Sequence, residues 1–216
     1  MPRIQAFEAH IQAYEEWFER HPLIYRSELQ AIQSRLPDHG EGVEIGVGTG
    51  RFAVPLKIGT GVEPSPSMCR MVSSYPIRII RGIAEFLPLR SSRFDFALMV
   101  TTLCFLDDVI RSFQEVRRIL RPGGSLILGF VDKESPIGQQ YEKNRNRSRF
   151  YKEASFYSVK EVLLFLEKTG FHSPEIVQTL FSSLDRIEKV EPVCKGYGRG
   201  SFVVIKTAKK GDKRAG

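Results

Sequence analysis

Residues 42–50 read Gly-Val-Glu-Ile-Gly-Val-Gly-Thr-Gly. A short apolar stretch running into alternating glycines is a strand followed by a tight turn. The turn carries no side chain at positions 46, 48 and 50, so its backbone can come close to whatever lies beside it. The rest of the chain repeats the theme of strand, then helix. Residues 58–63 and 77–81 give a second and a third short strand. Phe94–Val100 is a fourth, apolar almost throughout, as a strand buried on both faces requires. Residues 106–120 read as a helix, 123–131 as a fifth strand, and 159–169 as a helix stopped by Gly170. Residues 175–181 and 201–207 form two late strands with no good helix between them, which suits an antiparallel hairpin at one edge. Ahead of the glycine turn, Ile4, Phe7, Ile11, Tyr14 and Phe18 recur at intervals of three and four. That spacing predicts a helix over 4–19, and a second helix over 23–36 ends before Pro37. Strands alternating with helices predict an α/β fold, a mostly parallel sheet with helices on both faces.

A chain of 216 residues is long enough for one domain with a substantial core. The expected division is a single domain over 1–208: N-terminal helices (1–39), a core (40–131), an insert (132–157) and the remainder of the sheet (158–208). A mobile polar tail (209–216) follows. No apolar run reaches the roughly 20 residues needed to cross a bilayer, and the first ten residues hold no apolar segment of a secretory signal. Three cysteines without a CxxC pair, and four scattered histidines, predict free thiols, a reducing cytoplasmic setting and no metal site. The net charge of +7 is local. Lys143, Arg145, Arg147, Arg149 and Lys152 crowd one segment without an acid, and Lys209, Lys210, Lys213 and Arg214 oppose only Asp212 near the end. The remaining body is close to neutral, so the chain as a whole does not present the basic field of a nucleic-acid binder.

The glycine turn does not fit a dinucleotide site. That fingerprint wants G-x-G-x-x-G/A, and the sixth place counted from Gly46 is Arg51. What stands is an acid, Glu44, followed by Gly46, Gly48 and Gly50. The second strand ends in Gly61-Val62-Glu63, where a carboxylate can accept both hydroxyls of a ribose.

With these residues the sequence resembles the class I S-adenosyl-L-methionine (SAM)-dependent methyltransferases, and within them the branch related to the quinone-biosynthesis C-methyltransferases. The resemblance covers residues 40–131 and rests on four segments in order. Glu44 to Gly50 matches the SAM glycine loop. Glu63, in Gly61-Val62-Glu63-Pro64-Ser65, matches the ribose-binding acid. Gly82 to Leu89 matches the adenine-side loop, with Ala84 and Glu85 beside the base. Leu120-Arg121-Pro122-Gly123-Gly124 matches the turn into strand five. The resemblance implies a Rossmann-like sheet of seven strands, the last antiparallel, with SAM across the carboxyl ends of the first two. Thr101 and Thr102 would then face the methionine part of SAM or the substrate. The N-terminal helices and the insert would cap the site, with Tyr14 or Trp17 in its lining. Family members often carry a histidine after strand four; Leu103 to Asp108 contains none. Cys104 follows Leu103 rather than the proline or threonine that precedes a cytosine-methylating thiolate, and reads as a small core residue. The Asn/Asp-Pro-Pro-aromatic motif of amino-methylating nucleic-acid enzymes is absent after strand four.

The implied activity is direct displacement of the sulfonium methyl of SAM by a nucleophile on a small-molecule acceptor. Asp132, Tyr141 and Tyr151 are the candidate bases. Two other readings follow from the same residues. One is an RNA methyltransferase using the basic 143–152 segment. The other is a protein that binds SAM without turnover. The sequence fixes neither the acceptor nor the oligomeric state.

Overall fold

The computed structural model describes residues 4–210. Three helices precede the core where two were expected, because the span 4–19 is divided. α1 (Gln5–Ala9) and α2 (Ile11–Arg20) meet at His10, whose backbone (φ −136°, ψ 32°) leaves the helical region. The bend turns α1 across the top of the molecule, where Glu8 finds donors that a straight helix would miss. α3 (Pro22–Gln33) begins on Pro22, whose missing N–H costs nothing in a first turn.

β1 (Gly42–Ile45) and β2 (Thr60–Glu63) follow, then α4 (Pro66–Val72) and β3 (Arg78–Arg81). β4 (Phe94–Val100) has the bounds the apolar run predicted. α5 (Val109–Ile119) leads directly into β5 (Leu120–Val131). α6 (Pro136–Asn144) lies inside the insert, and α7 (Val159–Lys168) carries a capping box of Ser158 and Glu161. β6 (Phe171–Thr179), β7 (Cys194–Lys195) and β8 (Phe202–Lys209) complete the sheet. α4 and α6 escape sequence periodicity because each is short. Each nonetheless starts on a Ser-Pro pair, with the Ser65 or Ser135 hydroxyl accepting a backbone N–H three residues on.

The strands form one sheet in the order β3-β2-β1-β4-β5-β8-β6-β7. β1 to β5 are parallel, and β8 lies antiparallel between β5 and β6. The Rossmann-like expectation holds with two corrections. The sheet has eight strands rather than seven, because Cys194 and Lys195 pair with Gln178 and Val177. Two residues are too few to leave a pattern in sequence. The late strands do pair antiparallel, but β8 is internal and the edge belongs to β7. The expected tail from 209 onward falls partly at the end of β8, and residues 211–216 lie outside the described residues.

Period-two alternation splits the core between the two faces of the sheet. Ala97 and Met99 of β4 face one side with Phe113 and Val116 of α5 and Val162 and Leu166 of α7. Phe96, Leu98 and Val100 face the other, with Phe18 of α2 and Ala31 and Ile32 of α3. Asp95, at the amino end of β4, accepts from the Glu41 N–H at 2.7 Å and the Arg121 guanidinium at 2.6 Å. It is a structural group at the end of the sheet opposite the glycine turn. No helix among the described residues is long and apolar enough to cross a membrane.

Candidate active site

At the carboxyl end of β1 the backbone turns through left-handed conformations, with φ of 74° at Gly46, 55° at Gly48 and 85° at Gly50. A Cβ at Gly46 would lie 2.3 Å from the Thr102 hydroxyl oxygen. Thr102 closes on β1 from the end of β4, its hydroxyl 3.0 Å from the Val100 carbonyl and 3.3 Å from that of Ile45. Thr101 beside it holds a left-handed φ of 49°, a strained state for a β-branched residue, fixed by its N–H to the Gly129 carbonyl at 2.8 Å. The turn is also gripped from outside. Glu15 of α2 bonds both Thr49 and Arg51, and the Tyr25 hydroxyl of α3 donates to the Arg51 carbonyl.

Glu63 ends β2 and is buried. Its Oε2 accepts the Gly48 N–H and its Oε1 the Ser65 N–H, each at 2.9 Å. Burial pushes its carboxyl above the ordinary range, and the two N–H donors and nearby Glu8 adjust that rise in opposite directions. Glu8 accepts from Ser65 Oγ, from Ser67 N at 3.1 Å and from Ser67 Oγ at 2.6 Å, which ties α1 to the start of α4. α1 thereby sets Ile4 and Phe7 over the turn. The Phe7 ring meets Phe105 edge-on at 4.9 Å and stacks on Phe150 of the insert at 5.5 Å.

One cavity lies beneath this roof. Gly46, Gly48, Glu63, Ala84, Glu85, Thr101 and Thr102 line it, as do Tyr14, Trp17, Tyr141 and Tyr151. Among the sequence candidates, Glu44, Gly50 and Asp132 do not reach its wall. Glu44 lies under the loop, fully buried, with one oxygen lacking any partner and burial holding its carboxyl well up. A Cβ at Gly50 would meet Val72 at 2.8 Å, so that glycine serves the packing of the turn on α4. Asp132 caps the insert and α7, accepting the N–H groups of Glu134 at 3.1 Å and Val159 at 3.3 Å. Glu85 accepts from the N–H of Asp107 at 3.0 Å and so ties the adenine-side loop to the segment after β4. Burial drives the phenols of Tyr141 and Tyr151 upward, which suits them to hydrogen bonding rather than to ionisation. Cys104 is half-buried, its Sγ 3.4 Å from the Thr101 carbonyl.

The sequence reading missed one polar group in the lining, Glu28 of α3. The signal was present. Ile24, Glu28 and Ala31 follow helical spacing along the buried stripe of α3, so a carboxylate falls where an apolar residue belongs.

A sheet in this order, with a glycine turn after its first strand and an acid at the end of its second, defines a nucleotide-cofactor enzyme of the methyltransferase type. Residues 43–128 match the methyltransferase domain family. A crystal structure from Thermotoga maritima is 50% identical, covers 96% of this chain and 100% of that one, and aligns with a TM-score of 0.94. It is described as a SAM-dependent methyltransferase, "possible histamine N-methyltransferase". The uncharacterised protein MJ1123 of Methanocaldococcus jannaschii is 39% identical over 206 residues, 95% of this chain and 100% of the relative. The uncharacterised protein Rv2003c of Mycobacterium tuberculosis is 31% identical over 176 residues, 79% of this chain and 61% of the relative. The chain belongs to the class I SAM-dependent methyltransferases. It is an enzyme, and its cofactor is S-adenosyl-L-methionine.

Proposed function

We propose that the protein moves the methyl group of SAM by direct displacement to a nucleophile on a small molecule enclosed in the cavity. One observation carries this reading: the glycine turn and Glu63 open into the same space as an aromatic chamber roofed by α1 and the insert. The fit to SAM is supported by the bare backbone at Gly46 and Gly48 and by Glu63, whose oxygens each spend one lone pair on an N–H and keep another for a ribose hydroxyl. On this reading Ala84 and Glu85 flank the adenine, and Thr101 and Thr102 flank the methionine part. Glu44 and Gly50 act from beneath, shaping the loop. SAM supplies an activated methyl on a sulfonium. The protein's own residues hold the acceptor in line and keep water out.

We read 1–208 as one domain in which 132–157 acts with α1 as a lid. Tyr141 and Tyr151 then orient the acceptor by hydrogen bonds, and Asp132 holds the insert in place. Histamine, the acceptor named for the Thermotoga relative, belongs to the small-molecule class this reading calls for.

The exposed Lys143, Arg147, Arg149 and Lys152 on the outer side of the insert favour a second reading, an RNA acceptor. Release of S-adenosylhomocysteine from SAM, with a small-metabolite fraction and with total RNA at low and moderate salt, separates the two. The small-molecule reading expects turnover in the metabolite fraction with little salt effect. Turnover confined to RNA and lost with salt would replace it with the second reading.

A further inference from the structure

The cavity wall also contains a carboxylate, Glu28, that none of the described residues engages. Five glutamates are buried among the described residues: Glu28, Glu44, Glu63, Glu115 and Glu191. Four of them have donors. Glu44 accepts a backbone N–H from Ala53, and Glu63 accepts those of Gly48 and Ser65. Glu115 accepts the Leu87 N–H and the Arg118 guanidinium, and Glu191 the N–H groups of Phe181 and Ser182. Glu28 has no hydrogen bond and no ion pair among the described residues, although it is only 5% exposed. A carboxylate in that state is costly, so proteins rarely keep one without a partner.

Its surroundings say what the partner is. Glu28 faces the cavity from α3, and its charge acts on the phenols of Tyr25, Tyr141 and Tyr151. None of these brings a positive charge. Tyr14, Trp17, Phe18 and Phe150 complete the wall with ring faces and edges. Aromatic walls around a lone acid suit a cation with an apolar body, since ring faces attract positive charge and the acid receives its N–H groups. Burial with no compensating donor pushes the Glu28 carboxyl up to about 8.

We propose that Glu28 is the acceptor-binding residue, and that the acceptor is a small amine or similar protonated nitrogen base whose N–H groups donate to the Glu28 carboxylate. This rests on the reading of the chamber as the acceptor site. Glu28 then selects for positive charge, while the aromatic rings select for size and apolar shape.

The test uses the whole protein saturated with S-adenosylhomocysteine. Trp17, the single tryptophan, lies in the cavity wall and reports binding by fluorescence. The probes are 2-phenylethylamine and histamine, compared with 2-phenylethanol, which has the shape of the first without the charge. At least one amine is expected to bind about tenfold or more tighter than the alcohol, and Glu28→Gln is expected to lose about that factor for the amine. S-adenosylhomocysteine affinity should stay within about twofold in the variant, which also shows that it is folded. Calorimetry at pH 7 in two buffers of different ionisation heat gives a readout that needs no variant. Amine binding should release about one proton, as Glu28 passes from acid to carboxylate. Equal binding of amine and alcohol, no binding of either amine, or undiminished amine binding by Glu28→Gln would each overturn the proposal while leaving the cofactor reading intact. Failure of the wild-type protein to bind S-adenosylhomocysteine would overturn both.

Discussion

Glu63 and Glu28 are both buried carboxylates in one cavity, and their partners set them apart. Glu63 is held by the Gly48 N–H, which reaches it because β1 and β2 end side by side, and by the local N–H of Ser65. On the proposed reading, replacing Glu63 with Ala removes two charge-assisted bonds to the ribose, and SAM affinity should fall by about a hundredfold or more with the fold retained. Equilibrium dialysis of labelled SAM, beside a melting curve, checks this, and an unchanged affinity would sink the assignment. Gly46→Ala is a different kind of fault. Its φ of 74° and the 2.3 Å approach to Thr102 leave no room for a methyl group. A stability loss of about 2 kcal/mol or more in urea is expected, together with loss of SAM binding. Glu28 gives a pH signature. Its folded value of about 8 lies above the ordinary 4.5, so the native state keeps a proton that the unfolded chain releases. Its contribution is therefore fully present below about pH 4.5 and is lost as pH rises through about 8, by at most about 5 kcal/mol. Glu28→Gln should remove that decline, so the variant gains on the wild type from pH 5 to 8.5 in denaturant titrations. Parallel curves would show that Glu28 is solvated in the folded protein.

At the scale of elements, α1 is a short helix with no buried residue of its own. Five residues cannot hold a helix by backbone bonds alone. Its position depends on Glu8 bonding Ser65 and Ser67 and on Phe7 resting against Phe105 and Phe150. Glu8→Ala should free this roof. S-adenosylhomocysteine should then dissociate about tenfold faster, a cost of about 1.4 kcal/mol, with melting almost unchanged. Stopped-flow Trp17 fluorescence measures the rate, and an unaltered rate would mean that α1 does not gate the cofactor. The insert is built differently. α6 buries Ile137 against the α3 face of the sheet, while Lys143 near its end and Arg147, Arg149 and Lys152 beyond it are exposed. Tyr141, Tyr151 and Phe156 of the insert form one aromatic cluster, while its Phe150 packs against Phe7, His10 and Tyr14.

At the scale of the molecule, the cavity lies between the sheet's carboxyl ends and a roof drawn from two distant parts of the chain, so ligand binding couples both to the core. S-adenosylhomocysteine at a hundred times its dissociation constant should raise global stability by about 2.7 kcal/mol. Hydrogen exchange should slow most in α1 and the 145–157 segment, where few backbone groups lie in the sheet. Protection confined to the glycine turn would show that the roof does not close on the ligand.

The sheet was legible because its central strands are short, nearly continuous apolar runs and its turn needs glycine, both local demands. The meeting of Gly46, Gly48 and Glu63 in one cavity was legible because they sit at strand ends, where chain direction alone decides what they face. The rest of the lining was legible only in part. Tyr14, Tyr141 and Tyr151 could be named as candidates, but Glu28 and Phe150 come from a helix and an insert far apart in sequence, and nothing local says that all of them meet in one cavity. β7 was invisible because a two-residue strand has no period. Local pattern fixed which segments become strand, turn and helix. Only the packing of α1, α2, α3 and the insert over one end of the sheet decided that these side chains share a cavity and that one acid among them has no partner among the described residues, because that depends on burial created between segments rather than within any of them.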